Sequence, residues 1–234
     1  MKITPQRAAV DDTPISSPID QGGFGLSPAL VTLSSEVTAA AEALRALRTY
    51  VMAQHLEKGR RALAVCAPTV GVGCSSVAAN LAVSLSQIGV KTLLIDANLR
   101  RPAINDLFVA PAPVEGLLQC LSTREANFGD YIQSDVLPDL SIMFAGGIPE
   151  NPQELLATGR FEELMNFCLR DFQMTILDTP PANSCSDSRR VSTVAGYSLV
   201  VSRRNKTLVS DLKTLVSQLE NERARVVGTV LTEG

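Results

Sequence analysis

The sequence predicts an α/β fold, a doubly wound, mostly parallel sheet flanked by helices in three layers. Three observations carry that prediction. Candidate strands fall at 62–67, 91–96, 139–145, 173–178, 197–202 and 225–231, and several are continuous apolar runs such as Thr92-Leu93-Leu94-Ile95 and Met174-Thr175-Ile176-Leu177. Such runs suit strands covered on both faces. Helix-patterned stretches at 75–89, 153–170 and 207–222 alternate with them, the order that builds parallel crossovers. A glycine-containing turn, Pro68-Thr69-Val70-Gly71-Val72-Gly73-Cys74-Ser75, joins the first strand, Ala62 to Ala67, to the first of these helices. In this architecture ligands bind at the carboxyl ends of the strands.

An earlier helix is predicted from Val37 to about Leu56, because Ala40, Leu44, Leu47 and Val51 fall on one stripe at spacings of four, three and four. Glu42, Arg45 and Arg48 run beside that stripe, each three residues from the next. Residues 1–28 are rich in Pro, Ser, Gly and Asp without periodicity and are expected to form a flexible N-terminal tail. Residues 29–234 are expected to form a single domain, in keeping with a length of 234 residues.

Composition excludes several functions. Apolar residues make up 45% of the chain and charged residues 19%, a globular balance, and a net charge of −3 argues against a nucleic-acid partner. No apolar run reaches the roughly 20 residues of a membrane helix. No basic-then-apolar leader opens the chain, so a cytoplasmic location is expected. Five cysteines without a C-x-x-C pair give no zinc or disulfide framework. The single histidine, His55, is expected to be an ordinary surface residue, which leaves no material for a Ser-His-Asp or multi-histidine site.

The turn at 68–75 has the strand–glycine loop–helix context in which backbone N–H groups and a helix N-terminus cradle phosphates. The cofactor-binding residues are expected to be Gly71, Val72, Gly73, Cys74, Ser75 and Ser76. A lysine normally precedes the Ser/Thr of such a loop; here the position is Cys74. Two further strand ends carry carboxylates, Asp96 in Leu94-Ile95-Asp96-Ala97-Asn98-Leu99-Arg100-Arg101-Pro102 and Asp178 in Leu177-Asp178-Thr179-Pro180-Pro181. At such places an Asp can hold a Mg²⁺-bound water or accept a proton, and Ser75 can supply a hydroxyl to the metal. Ser75, Asp96 and Asp178 are thus the expected Mg²⁺ set, with Asp96 and Asp178 the catalytic residues if the chain turns over ATP. Alone, each feature is equally a turn former or helix cap; the three in order point to a nucleotide site for ATP or ADP.

In these residues the chain resembles the bacterial tyrosine kinases of capsule and exopolysaccharide production, P-loop proteins related to cell-division and plasmid-partition ATPases. The similarity runs from about Pro28 to Leu231 and includes Ala78-Ala79-Asn80-Leu81-Ala82, Asp96 to Pro102, Leu140 to Gly146 and Asn151-Pro152-Gln153-Glu154-Leu155-Leu156. It continues through Asp178-Thr179-Pro180-Pro181, Ser186-Asp187 and Gly228-Thr229-Val230-Leu231. Glu42-x-x-Arg45-x-x-Arg48 resembles the family's E-x-x-R-x-x-R segment, which implies an oligomer contact in a ring of identical subunits. The resemblance further implies a membrane-spanning polysaccharide co-polymerase as partner, recruiting the chain to the inner face of the cell membrane.

The departures from the family pattern are specific. Cys74 replaces the loop lysine, Val72 a commonly acidic position, and Asn98 the second aspartate of the family's D-x-D. The relatives' C-terminal tyrosine cluster has no counterpart among Tyr50, Tyr131 and Tyr197. They imply a degenerate kinase with weak or lost ATP and Mg²⁺ binding, regulating polysaccharide chain length and export. Arg100, Arg101 or a neighbouring subunit's arginine could replace the missing cation. An active tyrosine kinase is the first alternative. A positioning ATPase is the second, disfavoured by Thr69, where partition ATPases carry a signature lysine. Cys74 itself has two readings, a small neutral residue that fits, or a thiol activated by the helix N-terminus that gates the phosphate site by redox state.

Overall fold

The computed structural model describes residues 23–123, Glu125 and residues 127–233. Its core is a seven-stranded sheet in the order β5-β6-β3-β7-β2-β8-β9. These strands are β2 (Ala62–Cys66), β3 (Thr92–Asp96), β5 (Gln133–Leu137), β6 (Leu140–Met143), β7 (Met174–Asp178), β8 (Tyr197–Arg203) and β9 (Arg225–Thr232). All neighbours pair in parallel except β5, which runs antiparallel to β6 at the edge. Every residue of β2, β3, β6 and β7 is buried, which is why their sequences are unbroken apolar runs rather than alternating ones.

Helices cover both faces. On one lie α1 (Ala39–Gln54) and α2 (Cys74–Ser86), which meet the sheet through Leu63, Val65, Leu94, Ile142, Ile176 and Leu199. On the other lie α3 (Leu117–Ser122), α4 (Pro152–Ala157), α5 (Gly159–Asp171), α6 (Asp187–Ala195) and α7 (Val209–Asn221), against Ala64, Leu93, Ile95, Met143 and Leu177 for the first four and Cys66 and Val200 for α7. From Val77 to Ser86 every residue of α2 is buried, so it is apolar nearly all round. Helix α1, capped by Thr38, whose hydroxyl accepts from the Ala41 N–H at 3.1 Å, lies across α2, and Arg48 Nη1 donates to the Ser84 carbonyl at 3.2 Å.

The doubly wound expectation holds, with local departures. The stretch predicted as one helix over 153–170 is two, because Thr158 is extended (ψ 152°) and its hydroxyl donates back to the Leu155 carbonyl at 2.7 Å. Helix α6 escaped the sequence pattern because its buried face carries Ser188 and Ser192 beside Val191 and Ala195. Strand β5 begins Gln133-Ser134-Asp135 and is interrupted at Asp135, whose φ is +53°.

Of the expected tail over 1–28, residues 1–22 lie outside the described residues. Residues 23–28 belong to the fold: β1 (Gly25–Leu26) pairs antiparallel with β4 (Phe108–Val109), and Phe24 stacks on Phe144 at 6.1 Å. The surface placement of His55 is also corrected. Only 1% of it is exposed; its Nε2 lies 3.0 Å from the Ala62 carbonyl oxygen and its ring meets Tyr197 edge-on. Burial lowers its pKa to about 4, so it is a neutral core residue at pH 7.

Candidate phosphate-binding site

The loop between β2 and α2 takes the shape its glycines allow. Gly71 and Gly73 have φ of +70° and +90°, the left-handed region that residues with a Cβ avoid. Gly73 then caps α2, whose first backbone bond runs from the Val77 N–H to the Gly73 carbonyl at 2.9 Å. The N–H groups ahead of that bond have no partner within the helix and face outward from its positive end, a nest for anions.

Neighbouring strand ends pin the loop from outside. The Thr179 hydroxyl donates to the Val65 carbonyl at 2.9 Å, Ala182 and Asn183 N–H groups bond the Ala67 and Pro68 carbonyls, and the Thr232 hydroxyl donates to the Val72 carbonyl at 2.8 Å. Gly71's carbonyl accepts from both Arg203 Nη1 and Lys206 Nζ, each at 3.1 Å.

The two carboxylates stand side by side, since Asp96 and Asp178 are register partners on β3 and β7. Both are wholly buried, yet their surroundings differ. Asp96 accepts from the N–H groups of Asn98, Ala103 and Ile104 at 3.0–3.1 Å. Burial raises its pKa to about 6 against the lowering effect of those bonds. Among the described residues neither oxygen of Asp178 has a hydrogen bond of good geometry. Its burial and the Asp96 charge push it up to about 8, while the Ser75 hydroxyl and Cys74 thiol beside it pull the other way. A buried carboxyl whose neighbours make no hydrogen bond of good geometry calls for an explanation, and at a phosphate loop a cation and its water provide one.

Of the expected Mg²⁺ set, the structure therefore brings Ser75 and Asp178 together. Asp96 spends its oxygens on the backbone of the following turn. One carboxylate and one hydroxyl are a fit for Mg²⁺, which takes its remaining ligands from phosphate and water, and the glycine nest fits phosphate. What does not fit is position 74. The Cys74 Sγ lies 3.2 Å from the Val65 carbonyl oxygen, and burial, then the nearby Asp178 charge, push its thiol well above the ordinary value. A raised thiol favours the small neutral residue over an activated, redox-gating thiolate.

Other expected residues sort as follows. Arg100 is committed elsewhere, its Nε and Nη2 bonding both oxygens of the buried Asp187 at 2.7 and 3.2 Å. Asn98 caps its turn, with Oδ1 accepting from the Arg101 N–H at 3.2 Å. Glu42 pairs with Arg45 on the exposed side of α1. The side chains that sequence reasoning missed are Arg203, Lys206 and Thr232, which meet the loop from 132 to 160 residues away along the chain. No spacing rule reaches so far. A cavity of about 630 Å³, walled by Pro111, Pro113, Phe144 and Ile148 among others, lies beyond the ends of β3 and β6.

Fold, loop and paired strand-end carboxylates define a nucleotide-loop protein of the P-loop ATPase class. No protein-family model matches the chain. The tyrosine-protein kinase YwqD of Bacillus subtilis is 30% identical over 190 residues, 81% of this chain and 79% of YwqD. EpsB of Ralstonia solanacearum is 32% identical over 189 residues, 81% of this chain, which spans only 25% of EpsB's length. Among solved structures, the chimerical protein CapA2B2 superposes with a TM-score of 0.81 at 28% identity, covering 89% of this chain and 91% of that one. The kinase domain of the Escherichia coli tyrosine kinase ETK gives 0.80 at 28% identity, with 87% and 79% covered. The cell-division ATPase MinD of Pyrococcus furiosus, with a TM-score of 0.63 at 20% identity over 74% of this chain and 71% of MinD, shares the fold. This chain belongs to the bacterial tyrosine-protein kinase family.

Proposed function

We propose that the chain is a kinase-like subunit of an exopolysaccharide or capsule system, acting on polymer length and export by assembling with a membrane-spanning polysaccharide co-polymerase. On its own it turns over little or no ATP. The observation that carries this reading is Cys74, a neutral, protonated thiol turned toward the Val65 carbonyl where the loop's lysine belongs. Losing one charge-assisted hydrogen bond weakens binding by about 1.5–3 kcal/mol. The loss is felt more in transfer, where charge builds on the phosphoryl group. Asn98, neutral and capping a turn, adds no second carboxylate.

Gly71, Gly73 and the first turn of α2 would hold the phosphates, with Ser75 and Asp178 holding Mg²⁺. Bound Mg²⁺ supplies positive charge against the phosphate oxygens. No helix among the described residues is long and apolar enough to cross a membrane; in this reading the partner recruits the chain to the inner face of the cell membrane. The α1 segment of Glu42, Arg45 and Arg48 is the proposed contact between identical subunits.

A second reading, an active tyrosine kinase, is favoured by the orphaned Asp178 beside Ser75, a carboxyl poised to hold a metal or take a proton. Incubation with labelled ATP and Mg²⁺, alone and with the partner's cytosolic segment, separates the two. The proposal expects no phosphotyrosine in either mixture, and altered polymer length when the chain is deleted. Phosphotyrosine that vanishes in Asp178→Asn supports the second reading instead.

A further inference from the structure

The turn after β8 carries three cations, and their partners differ. Arg204 Nη1 faces Glu233 at 3.6 Å. Arg203 and Lys206 both point at one neutral acceptor, the Gly71 carbonyl, and among the described residues no carboxylate pairs with either. A carbonyl has two lone pairs and so accepts both donors, but it carries only a partial charge. Two full positive charges held at a phosphate loop lack a counter-charge among the described residues.

The turn that delivers them is built rather than loose. The Arg203 N–H donates to the Thr207 hydroxyl at 2.9 Å, and the N–H groups of Lys206 and Thr207 return to the Arg203 carbonyl at 3.2 and 3.0 Å. Asn205 closes it with φ of +58°. Because β8 pairs in parallel with β2, this turn emerges at the same sheet edge as the glycine loop. The fit is close: a Cβ added to Gly71 would come within 2.7 Å of Lys206 Nζ. Glycine at 71 thus serves two ends, the left-handed backbone and the seat of the ammonium group.

We propose that Lys206, with Arg203 beside it, supplies to the phosphates of a bound nucleoside di- or triphosphate the positive charge that position 74 lacks. The cation comes from the turn after β8 instead of from inside the loop, and it already lies against the Gly71 carbonyl. This rests on reading the loop as a nucleotide site. Arg100, one of the cations expected from sequence, is held by Asp187 and does not compete for the role.

Calorimetric titration of the full chain with MgATP, MgADP and adenosine tests the assignment. Lys206→Gln should weaken ATP and ADP by roughly 10- to 150-fold, the equivalent of one charge-assisted bond, and leave adenosine unchanged. Lys206→Arg should keep most of the affinity. Arg204→Gln should change nothing, which separates a placed cation from bulk charge. Adding Cys74→Lys to Lys206→Gln should restore binding. Equal weakening of ATP and adenosine means that Lys206 only props the loop, and overturns the assignment; so does unchanged ATP affinity in Lys206→Gln. Absence of any ATP binding by the wild-type chain overturns it too, while the polymer-length effect of deletion, read separately, would leave the proposed membrane-partner role standing.

Discussion

Asp178→Asn in the metal-free protein should remove a pH-dependent weakness that the wild-type chain carries. Asp178 is wholly buried, its oxygens have no partner of good geometry, and its pKa rises from 3.8 to about 8. The folded state therefore holds a proton that the unfolded chain releases near pH 4, so stability falls as pH climbs from the unfolded value to the folded one. Each pH unit in that window costs about 1.4 kcal/mol, which makes about 4 kcal/mol between pH 5 and pH 8. Asparagine mimics the protonated acid in shape and charge and does not titrate. Urea unfolding of both proteins at intervals from pH 5 to pH 8 reads the residue together with its coupling to Asp96, while His55 remains in each and cancels. The wild-type stability minus the variant's should drop steadily with rising pH. A difference that stays flat, or grows, would refute the claim that Asp178 is a buried, unpaired acid.

Three further outcomes follow from the same physics. Cys74, its thiol pushed well above the ordinary value, should react with iodoacetamide at pH 8 at least about tenfold more slowly than a free cysteine, since the thiolate is the nucleophile; peptide mass spectrometry gives the rate, and fast labelling would revive the redox gate. Arg100→Ala strips the partner from the buried Asp187 carboxylate and should cost about 2 kcal/mol by denaturant unfolding, below the ~3–5 of a fully buried pair because Arg100 is partly exposed. His55, lowered to about 4 by burial, should make the wild-type chain lose about 1.4 kcal/mol per unit as pH falls from about 6.5 toward 4, and His55→Gln should flatten that slope in thermal melts.

The parts of the fold legible in the sequence were those where one physical demand dominates. Strands buried on both faces need continuous apolar runs, so β2, β3 and β7 declared themselves, as did the glycine loop between β2 and α2. Strand β5 did not, because an edge strand tolerates polar residues and the Asp135 irregularity. Helix α6 hid behind small buried serines. His55 looked like a surface residue because local sequence says nothing of Tyr197, which closes over it. At the site, residue types were readable and partners were not. Asp96 and Asp178 are alike in sequence context, yet one is saturated by backbone N–H groups and the other has no hydrogen bond of good geometry among the described residues. Arg100 had the right charge and place for a replacement cation, but Asp187, buried on α6, binds it. Lys206 meets Gly71 from 135 residues away, through strand order alone.

Phosphate release from ATP, followed with the purified chain in Mg²⁺ and compared with Asp178→Asn, is the most direct test. A loop without a lysine of its own, even with Lys206 holding the phosphates from outside it, predicts the same near-background rate for both proteins. Steady release by the wild-type chain that disappears in the variant would contradict it.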